Sequence, residues 1–279
     1  IGDMSGDVFG NGMLLSKTMQ LVAAFDHRHV FLDPAPDPAA SHVARQELFG
    51  KGRTSWEDYP KDLISEGGGV HPRDSKSISL TPEVKTALKI DADALSGQEL
   101  IQHILCAPVD LLWNGGIGTY IRADDESDLE VGDPSNDPVR VDATKIRAAV
   151  IGEGGNLGIT AKGRIQLATH GVRLNTDALD NSAGVDLSDH EVNLKILFQQ
   201  ALAEGRISPD QRDAVLEEVR AEVNSMCRNN NWVHSRMISM DQIRAEQDIS
   251  RFKRAIEFLS HEVPFSRQAM HLPDDTTLT

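Results

Sequence analysis

Gly2-Asp3-Met4-Ser5-Gly6-Asp7-Val8-Phe9-Gly10-Asn11-Gly12 is the stretch from which the fold is read. Four glycines fall within eleven residues and lead into the apolar run Met13-Leu14-Leu15. A strand-like run, Leu21-Val22-Ala23-Ala24-Phe25, follows and ends on Asp26. Glycine turn, helix, strand and acid, in that order, is how a Rossmann βα turn holds a dinucleotide pyrophosphate. Glycine admits phosphate oxygens close to the backbone, and a helix N-terminus presents unpaired N–H groups to them. The spacing is irregular: it does not spell G-x-G-x-x-G, and no Lys-Ser/Thr follows to make a P-loop. Taken alone, the run fits a solvated turn before a helix equally well. Asp26, as an acid at a strand end, can bond both ribose hydroxyls and select NAD. The same aspartate also reads as an ordinary turn residue, and Arg28 could instead meet a 2′-phosphate.

The 279 residues suffice for one large domain or two ordinary ones. The formal net charge of −15, from 28 Lys+Arg against 43 Asp+Glu, argues against nucleic acid or an anionic membrane as partner. Two cysteines far apart, Cys106 and Cys227, imply no disulfide framework and fit a reducing, cytoplasmic setting. No signal peptide or run of membrane-spanning length is visible. The chain does not begin with Met, and Ile1-Gly2 reads as the end of a strand. A piece of a longer polypeptide, with its first strand upstream of Gly2, is therefore expected.

Along the chain, a helix is expected over Gly10 to about Gln20, and a strand over Val22–Phe25 that Val30–Leu32 continues after a turn. A helix is expected over Pro38–Phe49, then a short strand over Asp62–Ser65 entering Glu66-Gly67-Gly68-Gly69. Pro82–Leu88 reads as a helix capped by Thr81, and Gly97–Leu105 as another, with Leu100, Ile101, Ile104 and Leu105 at helical spacing. Val109–Trp113 is a strand that ends in Asn114-Gly115-Gly116-Ile117-Gly118. Residues 122–142, acidic and proline-bearing, read as a surface excursion. Ala148–Ile151 is a strand that ends in Gly152-Glu153-Gly154-Gly155-Asn156, followed by a helix over Thr160–Gly171 and a short strand over Val172–Leu174. Strand, glycine loop, helix, repeated, is the sequence form of a parallel sheet whose ligands sit at the carboxyl ends of the strands. After Ser188 glycine thins out and helical stripes dominate, with Val215, Leu216, Val219 and Val223 on one face. The expectation is an α/β fold: a Rossmann-type, mostly parallel sheet flanked by helices, with a C-terminal all-helical segment. The boundary is expected at 1–190 and 191–279.

Further stretches carry a specific resemblance: Ala24-Phe25-Asp26-His27-Arg28-His29, Leu63-Ile64-Ser65-Glu66-Gly67-Gly68-Gly69, Leu112-Trp113-Asn114-Gly115-Gly116-Ile117-Gly118-Thr119-Tyr120, and Asp180-Asn181-Ser182-Ala183-Gly184-Val185-Asp186-Leu187-Ser188-Asp189-His190-Glu191. With the opening run, they resemble the large, multi-domain bacterial NAD-specific glutamate dehydrogenases. The resemblance is dense over residues 1–200 and looser beyond.

It implies that Gly2, Asp3, Met4, Ser5, Gly6, Asp7 and Val8 bind the pyrophosphate of NAD and that Asp26 meets the adenosine ribose. It implies further that Asn114, Gly115 and Gly116 line the cofactor cleft. Asn156 would stand near the nicotinamide ribose, Asn181 at nicotinamide or substrate, and Ser188 at the side-chain carboxylate of glutamate. Asp186 and Asp189 have no assigned counterpart. The smaller enzymes carry their catalytic lysine in a Gly-Gly-Lys-Gly-type loop, which is absent here, so no catalytic residue is assigned and the isolated chain is expected to be inactive. Lys195 with Asp189–Glu191 reads as a helix start. The implied reaction is NAD-dependent oxidative deamination of L-glutamate to 2-oxoglutarate and ammonia. Other domains of the same polypeptide and a homo-oligomeric full-length enzyme are expected as partners. Competing readings are a dehydrogenase of another amino acid and a nucleotide-sensing module without chemistry. No metal site is expected: His27, Arg28 and His29 point apart on a strand, and His190-Glu191 has no second histidine four residues on. Cys106 reads as a buried filler without basic context. Glu66 is left open between structuring its loop and facing the cofactor.

Overall fold

The computed structural model describes Phe9 and residues 12–272. Two compact units are present, Ile1–Asp177 and Ala178–Thr279. In chain order the first carries β1 (Ala23–Phe25), β2 (His29–Leu32), α1 (Pro38–Lys51), β3 (Gly69–Pro72), β4 (Ile78–Ser79), α2 (Pro82–Leu88) and β5 (Ala94–Leu95). It continues with α3 (Gly97–Leu105), β6 (Leu111–Asn114), β7 (Ile121–Arg122), α4 (Asp128–Val131), β8 (Val141–Asp142), β9 (Val150–Glu153) and α5 (Ala161–Thr169). The short α6 (Asp177–Asp180) precedes α7 (Ser182–Ala203), α8 (Pro209–Gln247) and α9 (Ser250–Glu262). The chain is thus α/β with a C-terminal helical segment. No helix among the described residues is long and apolar enough to cross a membrane.

Local chemistry sets most helix starts. Asp37, Thr81, Ser96 and Ser208 each cap a first turn by accepting a backbone N–H. Proline at the first turn of α1, α2 and α8 supplies a fixed φ where no N–H partner is needed.

Strand pairing departs from the expected pattern. Val30–Leu32 does not continue the first strand but folds back on it: β1, β2 and β3 form an antiparallel sheet, and β4 pairs antiparallel with β5. Parallel pairing joins β6 to β9 and β7 to β8, with bridges from Ile121 to Ile159 and from Val150 to Arg173. The hairpin is buried on both faces because side chains alternate across a strand. Phe25, Val30 and Leu32 enter the main core with α2 and α3, whereas Ala24 and Phe31 enter a second core with Ala44, Leu48, Trp56 and Tyr59. There Phe31 stacks on Trp56 at 4.5 Å and meets Tyr59 edge-on at 5.0 Å. Each such ring pair adds about 0.5–1.5 kcal/mol beyond area burial.

Three local expectations are corrected. No helix forms over residues 12–20, where turns replace it. Lys61–Leu63 is a 3₁₀ turn rather than a strand, with its closing bond from Ile64 N–H to the Lys61 carbonyl. Residues 122–142 are not only a surface excursion: Val139 and Val141 are buried, and so is Arg140, which ties the segment together. Arg140 donates to Asp128 at 2.7 Å, to Asp137 at 2.5 Å and to the carbonyls of Thr119 and Asp133 at 2.9 and 2.6 Å. An acidic stretch can fold around a buried guanidinium because its donors fan out to several acceptors at once.

Candidate functional site

The parallel register Leu111↔Val150 to Asn114↔Glu153 brings the carboxyl ends of β6 and β9 side by side. Both strands run out into glycine loops, residues 115–118 and 154–158, which interlock. The Asn114 carbonyl accepts from the N–H groups of Gly154 and Gly155, at 2.8 and 3.2 Å. A Cβ added at Gly152 or Gly154 would lie 2.7 Å from the Trp113 indole. A Cβ at Gly155 would lie 2.1 Å from the Gly116 carbonyl oxygen, so the two backbones touch only because residue 155 has no side chain. Asn114 is buried; its Oδ1 accepts from Gly116 N–H at 3.5 Å, while its Nδ2 has no partner. The Trp113 Nε1–H is likewise buried and unbonded. Both are donors sealed from solvent without an acceptor, packed beside the glycine-lined strand end.

A charged brace lies beneath the loops. Glu153, fully buried, pairs with Arg164 of α5 at 2.6 Å, and Arg164 lies 3.6 Å from Asp177. The second oxygen of Asp177 accepts the Leu157 N–H at 2.8 Å, and Thr119 Oγ1 donates to the Leu157 carbonyl at 2.7 Å. Leu157 is held at φ 58°, a left-handed conformation that these two bonds fix in place. Sequence reasoning assigned no role to Glu153, Arg164 or Asp177. The available signal was an acid ending the otherwise apolar strand Val150-Ile151-Gly152-Glu153.

Of the sequence-predicted residues, Asn114, Gly115, Gly116 and Asn156 come together on these two loops. Asp26 occupies the β1–β2 turn, 1% exposed, where its Oδ1 accepts from the N–H groups of Arg28 and His29 at 2.8 and 2.7 Å. Its Oδ2 is buried without a hydrogen-bond partner. Phe25, next to it, packs edge-on against Tyr120 at 5.7 Å, and the Tyr120 hydroxyl donates to the Ile117 carbonyl inside the first glycine loop. The aspartate's turn and the loop therefore share a support. Gly2, Asp3, Met4, Ser5, Gly6, Asp7 and Val8 lie outside the described residues. Asn181 stands at the N-terminus of α7, and Ser188 lies within that helix, where its Oγ donates to the Gly184 carbonyl at 3.0 Å. Both belong to the helical unit.

Other candidates resolve simply. Glu66 is exposed, and its glycine loop packs on β2: a Cβ at Gly68 would meet the Leu32 carbonyl at 2.5 Å. Lys195 forms an ion pair with Glu191 in mid-helix, not at a helix start. Cys106 does have basic neighbours, Arg147 and Lys145, but burial outweighs them and pushes its thiol up to about 11. It is no nucleophile near neutral pH.

Glycine loops at the carboxyl ends of a parallel strand pair are the arrangement in which open α/β proteins seat ligands. Comparison with known proteins narrows the class. Residues 1–241 match the family described as bacterial NAD-glutamate dehydrogenase, catalytic domain, and the chain belongs to that family. It is 50% identical over 281 residues to the NAD-specific glutamate dehydrogenase of Mycobacterium tuberculosis, with 99% of the chain covered. It is 49% and 47% identical over 278 residues to the proteins of that name from Pseudomonas aeruginosa and Halomonas elongata, with the whole chain covered. The chain spans 17% of the length of each of these relatives.

Proposed function

We propose that this chain is the NAD-binding part of a glutamate dehydrogenase that oxidatively deaminates L-glutamate to 2-oxoglutarate and ammonia. The observation that carries the reading is the interlocked loop pair at the ends of β6 and β9, with the Asn114 Nδ2 left without a partner beside it, in a chain of this family. The β6–β9 pair, extended by the Val150–Arg173 bridge, is read as the parallel centre of a Rossmann-type sheet.

NAD, when bound, supplies the hydride acceptor. The chain's own residues bind and orient. The run Gly2–Val8 offers backbone N–H groups to the pyrophosphate, and Asp26 offers its free Oδ2 to the adenosine ribose. Asn114, Gly115 and Gly116 form one wall of the cleft, and Asn156 lies on the facing loop towards the nicotinamide ribose. Asn181 would contact nicotinamide or substrate, and Ser188 the substrate's side-chain carboxylate once its hydroxyl turns from Gly184. The functional border proposed at residue 190 keeps both of these with the cofactor part. No lysine here is placed for catalysis, so imine hydrolysis is assigned to another part of the polypeptide. A cytoplasmic, homo-oligomeric full-length enzyme is the setting proposed.

Calorimetric titration of the chain with NAD and NADP tests this. NAD should bind in preference to NADP, and Asn114→Ala and Asp26→Ala should each weaken it about tenfold, the cost of one buried hydrogen bond. Glutamate with NAD should give no turnover on the isolated chain. Unchanged NAD affinity in Asn114→Ala would remove the loop pair from the cofactor site.

A further inference from the structure

The helical unit contains a cluster that the cofactor reading does not use. Asp186 and His190 sit four residues apart on α7, so they share a face. Cys227 faces them from α8 and is the buried residue of the three long helices α7, α8 and α9. One carboxylate oxygen, one imidazole nitrogen and the sulfur lie within 4.8 Å of one another, and Asp186 Oδ1 is 3.5 Å from His190 Nε2. Ligands about 2.0–2.3 Å from a tetrahedral ion stand roughly 3.3–3.7 Å apart, so little movement is needed. The other carboxylate oxygen is already occupied: Asn230, one turn beyond Cys227 on α8, donates to Asp186 Oδ2 at 2.9 Å. That bond leaves Oδ1 facing His190, the role an outer hydrogen bond plays around a bound metal.

We infer that Asp186, His190 and Cys227 form a zinc-type divalent metal site that staples α7 to α8. A thiolate, an imidazole and one carboxylate are the ligand set that suits zinc and excludes magnesium or calcium. Three protein ligands leave the fourth position to water. Binding replaces the Cys227 S–H bond by a metal–sulfur bond and releases that proton to solvent. In the metal-free chain, burial first and the Asp186 carboxylate second raise the Cys227 thiol above its ordinary pKa. The fold gives the staple a purpose. Asn231 bonds to the Leu179 carbonyl and to Ser182 at 2.7 and 3.0 Å, yet neither α7 nor α9 has a buried residue. A pair of helices joined by polar contacts gains from a metal that binds only the folded form. The site also gives a role to Asp186, for which the sequence resemblance offered no counterpart.

The test uses the whole chain, stripped with a chelator and titrated with Zn²⁺ and, for spectroscopy, Co²⁺. One equivalent of Zn²⁺ should bind and raise the melting temperature, and Co²⁺ should give tetrahedral d–d bands with a thiolate charge-transfer band. Cys227→Ser should abolish the charge-transfer band, His190→Gln and Asp186→Asn should lose stoichiometric binding, and Asn230→Ala should weaken it about tenfold. Cys106→Ser should change nothing. Should Cys227→Ser fail to fold, maleimide labelling of the wild-type chain decides: Zn²⁺, but not Mg²⁺, should protect Cys227. Absence of stoichiometric Zn²⁺, equal binding by wild type and Cys227→Ser, or labelling that Zn²⁺ does not slow would each overturn the site.

Discussion

The two units are held together by different physics. In the first, the β1–β2 hairpin is buried on both faces, and loops 115–118 and 154–158 touch backbone to backbone over a buried ion pair. In the second, long helices carry large apolar residues in the open, such as Ile196 at 65% and Phe258 at 62% exposure, and are joined by asparagine bonds and the Asp186–His190–Cys227 cluster. The difference teaches that helix content says little about how a unit is stabilised. Apolar burial dominates one of these units, while in the other directed polar contacts stand beside only partial apolar burial.

The contrast can be broken at its strongest point. Trp56, 1% exposed and central to the second core, should cost the first unit about 3–5 kcal/mol when replaced by alanine, read from urea denaturation by circular dichroism. A loss below 1 kcal/mol would mean that burial does not hold this unit. Next in size, Glu153→Gln removes the charge opposite Arg164 but leaves Asp177 near it, so about 2 kcal/mol should be lost. NAD affinity should fall with it, because Leu157 hangs from the same brace.

Acid should separate the units more gently. Burial lowers the pKa of His71, and burial followed by the Arg147 charge lowers that of His103, both in the first unit. The unfolded chain then binds more protons, so stability is full above the ordinary histidine value of about 6.5 and declines as pH falls below it. The loss accrues down to the lowered folded values. His71→Gln with His103→Gln should flatten this slope in a pH series of melts. The smallest effect belongs to the open helical face: Ile196→Ser should shift stability by less than about 0.5 kcal/mol. A larger loss would show that this face is covered in solution.

Much of this was legible from sequence where the signal is local. The start of α2 follows from its Thr81 cap, and α3 from the apolar spacing of Leu100, Ile101, Ile104 and Leu105; the Ser96 cap of α3 emerged only in the structure. That the glycine clusters after Trp113 and Ile151 stand at strand ends was legible from residue type, whereas the roles of Asn114, Gly115, Gly116 and Asn156 came from the family resemblance and are proposals. Where a partner lies far along the chain, the reading failed. Val30–Leu32 carries the same strand pattern whether it continues β1 or folds back, and only contact with α3 and Trp56 on opposite faces decides. The Glu153–Arg164–Asp177 brace joins three separate segments, and no spacing announces it. Residues 122–142 looked like surface because acids and prolines usually do; one distant-looking arginine, Arg140, gives them an interior.

The amino-acid sequence alone determined the family, the starts of α1, α2 and α5 and the loops after β6 and β9, since caps, prolines, glycines and long motifs act within a few residues of themselves. The pairing of strands, the ion-paired floor under the glycine loops and the meeting of Cys227 with Asp186 and His190 were decided only by the tertiary structure. Each depends on which surfaces exclude water together, and that is a property of the packed chain.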